Sequence, residues 1–189
     1  YSEQNIIFNS KNVQKDLSDF FHNRYKNFMK EKEIRNDIIE SVNLNYNIDN
    51  ILKIYKKTLT LNKLISKEIG KDLMFSYKRA SNIISNEYKN NKLELVGYAD
   101  PGLFKNEFEK VLYKKIHEIR KDFTSVSRED DYEGILKILS SAKKEVNDFF
   151  ENVIVNDEDI LIKKNRLEIL QMLCKTFDNY LNFSKVESL

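Results

Sequence analysis

The sequence predicts an all-α protein, a compact helical bundle built in two helical halves. Three observations carry that prediction. The 189 residues hold one proline and four glycines, so long stretches are free of helix breakers. Leu, Ile, Lys and Glu are abundant between them. Apolar residues recur at three- and four-residue intervals, the spacing that lines one face of a 3.6-residue helix. Apolar residues make up 41% and charged residues 33%, and no apolar run approaches the roughly 18 residues of a membrane span. A chain of this length buries roughly 70% of its unfolded surface, so a soluble globular protein is expected.

The elements follow in order. Leu17, Phe20, Phe21, Tyr25 and Phe28 mark the apolar stripe of a first helix, and Ile34, Ile38 and Val42 that of a second. Ile48, Ile51, Leu52, Tyr55 and Leu59 mark a third, capped at Asp49 or Asn47. Leu73, Tyr77, Ala80 and Ile84 form the stripe of a fourth helix, which runs out in the polar stretch 87–92. Gly97, Pro101 and Gly102 cluster just beyond, and Asp100-Pro101 reads as a turn into a helix start. The boundary between halves is therefore placed here, giving an N-terminal half over 1–92 and a C-terminal half over 93–189.

In the second half, Phe104, Phe108, Val111, Leu112, Ile116, Ile119 and Phe123 define a helix, followed by the acidic loop 128–131. Tyr132, Ile135, Leu136, Leu139, Ala142, Val146, Phe149, Phe150 and Val153 hold one stripe over more than five turns, with a break expected near Lys143. The acidic run 156–159 suits a helix N-terminus, where carboxylates meet unpaired N–H groups and the positive end of the dipole. Leu167, Leu170, Cys174, Phe177 and Leu181 form the last stripe, and Cys174, the one cysteine, reads as a small core residue in a reducing cytoplasm. No heptad seam or internal repeat is present, which favours a bundle over a rod.

Net charge is only +2, but it is unevenly spread. Residues 1–52 carry 7 basic and 8 acidic groups, 53–92 carry 10 and 3, and 93–189 carry 15 and 19. A strongly basic segment inside a near-neutral chain is what a phosphate-facing surface requires, because Lys and Arg supply the sequence-independent part of nucleic-acid affinity. A merely solvated basic face is the alternative that charge alone leaves open.

Catalytic chemistry finds little footing. His22 and His117 each lie in a helix with no second histidine or cysteine at ligand spacing, so no metal site is expected. The glycines are scattered and form no phosphate loop. Asp130-Asp131 and Asp157-Glu158-Asp159 fall at helix starts, where a capping role accounts for them. Neither a Ser-His-Asp nor a Cys-His arrangement is indicated, so no catalytic residue is assigned.

Several blocks carry a resemblance. Phe20-Phe21, Arg24 and Ile34-Arg35-Asn36-Asp37-Ile38-Ile39 are followed by Lys78-Arg79-Ala80-Ser81-Asn82-Ile83 and by Asp100-Pro101-Gly102-Leu103-Phe104. Further on stand Val146-Asn147-Asp148-Phe149-Phe150-Glu151-Asn152-Val153-Ile154-Val155 and Asn165-Arg166-Leu167-Glu168-Ile169-Leu170. In this order and spacing they resemble the C-terminal helical anticodon-binding domain, of the DALR-like kind, of bacterial heterotetrameric glycyl-tRNA synthetase β subunits. Asn147 departs from the acidic residue usual there, and residues 86–95 are richer in Lys and Asn. Tyr1 at the start reads as a fragment cut from a longer chain, and the ending Asn182-Phe183-Ser184-Lys185 is similar to the usual last residues of such subunits.

The resemblance implies a division of labour. Such β subunits pair with separate α subunits in an α2β2 assembly that activates glycine with ATP and Mg, while this domain holds the anticodon arm of glycine tRNA. No cofactor and no catalytic group is then expected in this chain itself. Lys78, Arg79 and Asn82 share one side of the fourth helix and are candidates for RNA contact, against the alternative that Arg79 and Asn82 satisfy buried carbonyls. Lys163, Lys164, Asn165 and Arg166 form a second candidate group, with Lys163 and Lys164 favoured for phosphate. Arg166 is expected instead to pair with an acidic neighbour such as Asp148 or Asp157. The competing functional class is a helical scaffold that docks another synthetase subunit.

Overall fold

The computed structural model describes residues 10–42, 51–91, 94–126 and 130–187. Among the described residues every regular element is helical: α1 (Ser10–Glu31), α2 (Asn36–Ser41), α3 (Ile51–Ile65), α4 (Glu68–Asn91), α5 (Glu107–Val126), α6 (Tyr132–Ser140), α7 (Lys143–Asn152) and α8 (Ile160–Asp178). Short 3-10 turns lie at Pro101–Leu103 and Phe183–Lys185. Among the described residues no helix is long and apolar enough to cross a membrane.

Caps set several of the helix ends. The Asp159 carboxylate accepts from the N–H groups of Leu161 and Ile162 and starts α8, as the acidic run predicts. Asp131 does the same for α6, accepting from Gly134 N–H at 2.9 Å. A Cβ on Gly134 would sit 2.2 Å from the Asp131 carboxylate, so a larger residue there would require that side chain to shift. The single stripe from Tyr132 to Val153 breaks at Ser141–Ala142, one residue before the expected Lys143, and becomes α6 and α7.

From Arg166 to Leu170 every side chain of α8 is buried, so this stretch has no solvent face, and α4 and α5 flank the helix. Leu73, Met74, Tyr77 and Ala80 of α4 and Leu112, Ile116 and Ile119 of α5 join the same core, and Ile135, Leu136 and Leu139 of α6 with Val146 and Phe149 of α7 complete it where those two helices pack on α4 and α5. Cys174 lies in this core, where burial and the neighbouring Asp178 push its thiol up to about 12. Tyr77, Phe177 and Phe183 stack as one aromatic group with ring centroids 5.5–6.1 Å apart.

The chain's last segment folds back on α2. Asn182 N–H donates to the Ser41 carbonyl at 2.8 Å, and Glu187 N–H donates to Asp37 at 2.8 Å. Asp37 is gripped by both Nε and Nη2 of Arg35, at 3.0 and 2.6 Å. Burial alone would raise the Asp37 carboxyl, but Arg35 and the Glu187 amide outweigh it and hold the group below its usual range. The apolar core is continuous from Tyr25 to Val186, across residue 92.

Two expected stripes are corrected. Among the described side chains of α1 only Tyr25 and Met29 are buried, whereas Leu17, Phe20 and Phe28 remain 46%, 55% and 46% exposed. The helix meets the body through one end, where the Tyr25 hydroxyl bonds Thr58. In α3 the buried face is Ile54, Thr58, Leu61, Leu64 and Ile65, and the expected Ile51 and Leu52 are exposed. Val111 of α5 is likewise exposed, while Glu109 takes an interior position. Ile48 and the proposed caps Asn47 and Asp49 lie outside the described residues.

Candidate nucleic-acid interface

Lys71, Phe75, Lys78, Asn82, Ser85 and Lys89 follow one another at alternating four- and three-residue steps along α4. That spacing keeps them on one side of the helix, opposite Leu73, Tyr77 and Ala80, and the ridge they form is about 27 Å long at 1.5 Å per residue. All are exposed except Lys78, which is half-buried.

The ridge carries no carboxylate, because the acidic residues of α4 are turned elsewhere. Asp72 pairs with Lys143 at 2.6 Å, and Glu68 reaches the same ammonium at 3.6 Å. Glu87 pairs with Lys163 at 2.7 Å. Lysines of α7 and α8 thus neutralise the acids of α4 and leave its outer side positive.

Arg79 stands beside this ridge in a fixed seat. Its guanidinium carbon is 4.3 Å from the Phe150 ring centre and 5.7 Å from that of Phe75. Two aromatic faces hold the planar cation without using its N–H donors. Among the described residues no hydrogen bond or ion pair is made by Arg79, so a half-buried fork of donors is preset for an acceptor from outside. The floor beside it is a shallow groove of about 480 Å³ formed by Ile65, Met74, Phe75 and the stems of Lys71 and Lys78. Among the described residues neither Arg79 nor Asn82 donates a side-chain hydrogen bond to a buried carbonyl, the alternative weighed for them in the sequence.

The second predicted group behaves differently. Arg166 is buried and donates to Glu109 at 2.5 Å, to Asp157 at 2.5 Å and to the Ile154 carbonyl at 2.8 Å. Pairing with Asp157 agrees with the sequence reading; Glu109, 57 residues away, was not foreseen. Asn165 is buried, with its amide accepting from Asp100 N–H at 2.7 Å and donating to Asp100 C=O at 3.0 Å. Lys163, favoured above for phosphate, is buried and pairs with Glu87 at 2.7 Å. Burial along most of α8 is the physical reason these three point inward. Lys164 is the exposed member of the group.

Glu168, not singled out in the sequence, completes the same arrangement. Its carboxylate accepts three successive N–H groups, from Val96, Gly97 and Tyr98, at 2.9, 2.5 and 3.0 Å. Gly97 takes φ +79°, which lets the three amides converge on one carboxylate. Lys175 adds a bond to the Val96 carbonyl at 2.9 Å. The segment 94–100 is in this way strapped along α8 and fixes where α4 ends relative to α5.

No cluster of three His, Cys, Asp or Glu placed to hold a metal occurs among the described residues. Asp178 is exposed, but its carboxylate reaches in to the Tyr77 hydroxyl at 3.2 Å, and partial desolvation raises the carboxyl against the opposing effect of that bond. The pair lies at the edge of the core near Cys174, and it lines none of the three grooves formed by residues 84–96 with Gln171, by 65–79, and by α1 with α3.

The model of the DALR anticodon binding domain matches residues 73–189, from within α4 to the end of the chain. The chain belongs to the DALR anticodon-binding family. The matched stretch of this DALR domain includes Phe75, Lys78, Arg79, Asn82 and Phe150, and also the internal ties of Asn165, Arg166 and Glu168. Among curated proteins, it is 35% identical over 137 residues to the glycine–tRNA ligase beta subunit of Rickettsia prowazekii (strain Madrid E), covering 72% of this chain and 20% of that one. It is 34% identical over 185 residues to the subunit of the same name from Rickettsia africae (strain ESF-5), covering 96% of this chain and 27% of the relative. The corresponding Rickettsia canadensis (strain McKiel) protein is 32% identical over 188 residues, with the same coverage. The chain therefore spans 20–27% of the length of the relatives it matches.

Four members of the candidate ridge, Lys71, Phe75, Ser85 and Lys89, were not singled out in the sequence. Their signal was present in the four- and three-residue steps that join them to Lys78 and Asn82. The stripe of apolar residues on the opposite side of α4 drew attention away from it.

Proposed function

We propose that the α4 ridge and the Arg79 seat hold the anticodon arm of glycine tRNA. The observation that carries this reading is Arg79, a cation held between Phe75 and Phe150 with its donors uncommitted, set beside a ridge without carboxylates. Lys71, Lys78 and Lys89 supply phosphate attraction along the ridge. Phe75, 40% exposed, offers a ring on which an unpaired loop base stacks, while Arg79 donates to a base edge or phosphate. Single-stranded loops are what such side chains read, since their bases are unstacked and accessible. Lys164 is a separate candidate for phosphate contact.

In this reading the chemistry lies elsewhere. Glycine activation with ATP and Mg belongs to the assembled α2β2 enzyme with its α subunits, and this domain positions the tRNA for it in the cytoplasm. The choice of glycine tRNA follows the names of the relatives.

The test is a gel-shift titration with glycine tRNA and with an unrelated tRNA, for the wild-type chain and for Lys78→Ala/Arg79→Ala. The double variant is expected to lose roughly 10- to 100-fold in affinity and to flatten the log–log salt slope by about 1.4, two contacts at about 0.7 each. Its circular dichroism spectrum should be unchanged. Equal wild-type affinity for both tRNAs would mean a basic surface without the proposed specificity.

A further inference from the structure

The first three turns of α1 bury none of their described side chains. Yet Val13, Leu17 and Phe20 lie at helical spacing on one stripe and are 37%, 46% and 55% exposed. A helix that projects with its apolar stripe uncovered gains little from its own chain, because most helical stability in proteins comes from packing that stripe. The stripe continues into a groove of about 460 Å³ between α1 and α3, walled by Phe21, Phe28, Ile51, Leu52 and Tyr55. Leu52 is 60% exposed there, and the Phe28 and Tyr55 rings meet at 6.1 Å to close one end. Cations line the rim: Arg24 lies over Phe20 at 5.7 Å and Lys32 over Phe28 at 4.9 Å.

Contiguous exposed apolar surface of this kind marks a contact site. Its size decides what contacts it. A stable interface between separate molecules takes about 20–30 residues a side, and the described residues of this face named above number ten. A tethered partner does not need so much, because a linker supplies an effective concentration of roughly millimolar and interdomain contacts within one chain are characteristically small. Such a partner exists in proteins of this kind, since the matched relatives are about four to five times as long as the stretch they share with this chain.

We infer that the α1–α3 face is the seat of another part of the same polypeptide, an apolar surface with acidic groups at its edge to meet Arg24 and Lys32. This goes beyond the RNA-binding reading and does not depend on it, since the face lies on α1 and α3 rather than on the α4 ridge.

Hydroxyl-radical footprinting of the full-length subunit, alone and without other proteins, tests the inference. Tyr88 and Tyr98, each 65% exposed, serve as internal references. After correction for residue type, Phe20, Phe28 and Leu52 are expected to oxidise several-fold more slowly than these references, to the same degree at every protein concentration. Protection that grows with concentration would place a second copy on the face and overturn the inference. Oxidation at the reference rate would show the face open in the lone subunit, with any partner supplied by a different chain, and would overturn it equally.

Discussion

Replacing Arg166 by methionine separates a structural arginine from an RNA-binding one. Its side chain is 8% exposed and faces Glu109, whose side chain is 1% exposed. One Glu109 oxygen accepts the N–H groups of Lys105 and Asn106, at 2.7 and 3.3 Å; the other depends on Arg166. Methionine fills similar volume but leaves a buried carboxylate with half its acceptors unmet. Breaking a buried pair from one side costs about 3–5 kcal/mol. Asp157, with its side chain 32% exposed, stays hydrated and adds little. For a chain of this size each kcal/mol moves Tm by about 2–4 °C, so Arg166→Met should lower it by roughly 6–20 °C. Adding Glu109→Gln removes the stranded charge and should restore a substantial part of that loss. The assay is thermal unfolding followed by circular dichroism, with tRNA binding measured well below Tm. A Tm within about 2 °C of wild type, together with weakened tRNA binding, would refute the assignment and return Arg166 to the RNA surface.

Three other outcomes are expected. Glu168→Ala should release segment 94–100, raising amide exchange at Val96, Gly97 and Tyr98 and costing about 1.5–3 kcal/mol for lost bonds to a charged acceptor; unchanged exchange would contradict the strap. Asp159→Ala should cost about 1 kcal/mol in urea unfolding through loss of the α8 cap, and Asp159→Asn much less. Stability should also fall in alkali: Cys174 is raised to about 12 in the fold, so an unfolded chain releases that proton first, and each pH unit above about 9 favours unfolding by up to about 1.4 kcal/mol. Burial raises Tyr77 and Tyr180 as well, which adds to the same trend at higher pH. Urea midpoints across this range should drop less steeply for Cys174→Ala, and a flat wild-type profile would refute the point.

Much of the fold was legible because its causes are local. Helix-compatible composition, the Asp131 and Asp159 caps and the break beside Lys143 all rest on residues within a few positions of one another. The α1 and α3 stripes were located but their burial was not, since periodicity shows which side of a helix is apolar and not whether anything covers it. Lys163, Asn165 and Arg166 looked like a surface cluster because they are contiguous and polar. Their partners, Glu87, Asp100 and Glu109, lie 57 to 76 residues away, and only the fold brings them together. Arg79 was singled out as a candidate, but its seat was not legible, because Phe150 reaches it from α7 across the helix packing.

The central claim is that α4 receives the anticodon arm. A nuclease and chemical footprint of glycine tRNA bound to this chain tests it most directly, read for wild type and for Arg79→Met. The account expects protection centred on the anticodon loop, with the loop signal lost and the helical spectrum kept in Arg79→Met. Protection centred on the acceptor stem, or a loop footprint indifferent to Arg79, would contradict it.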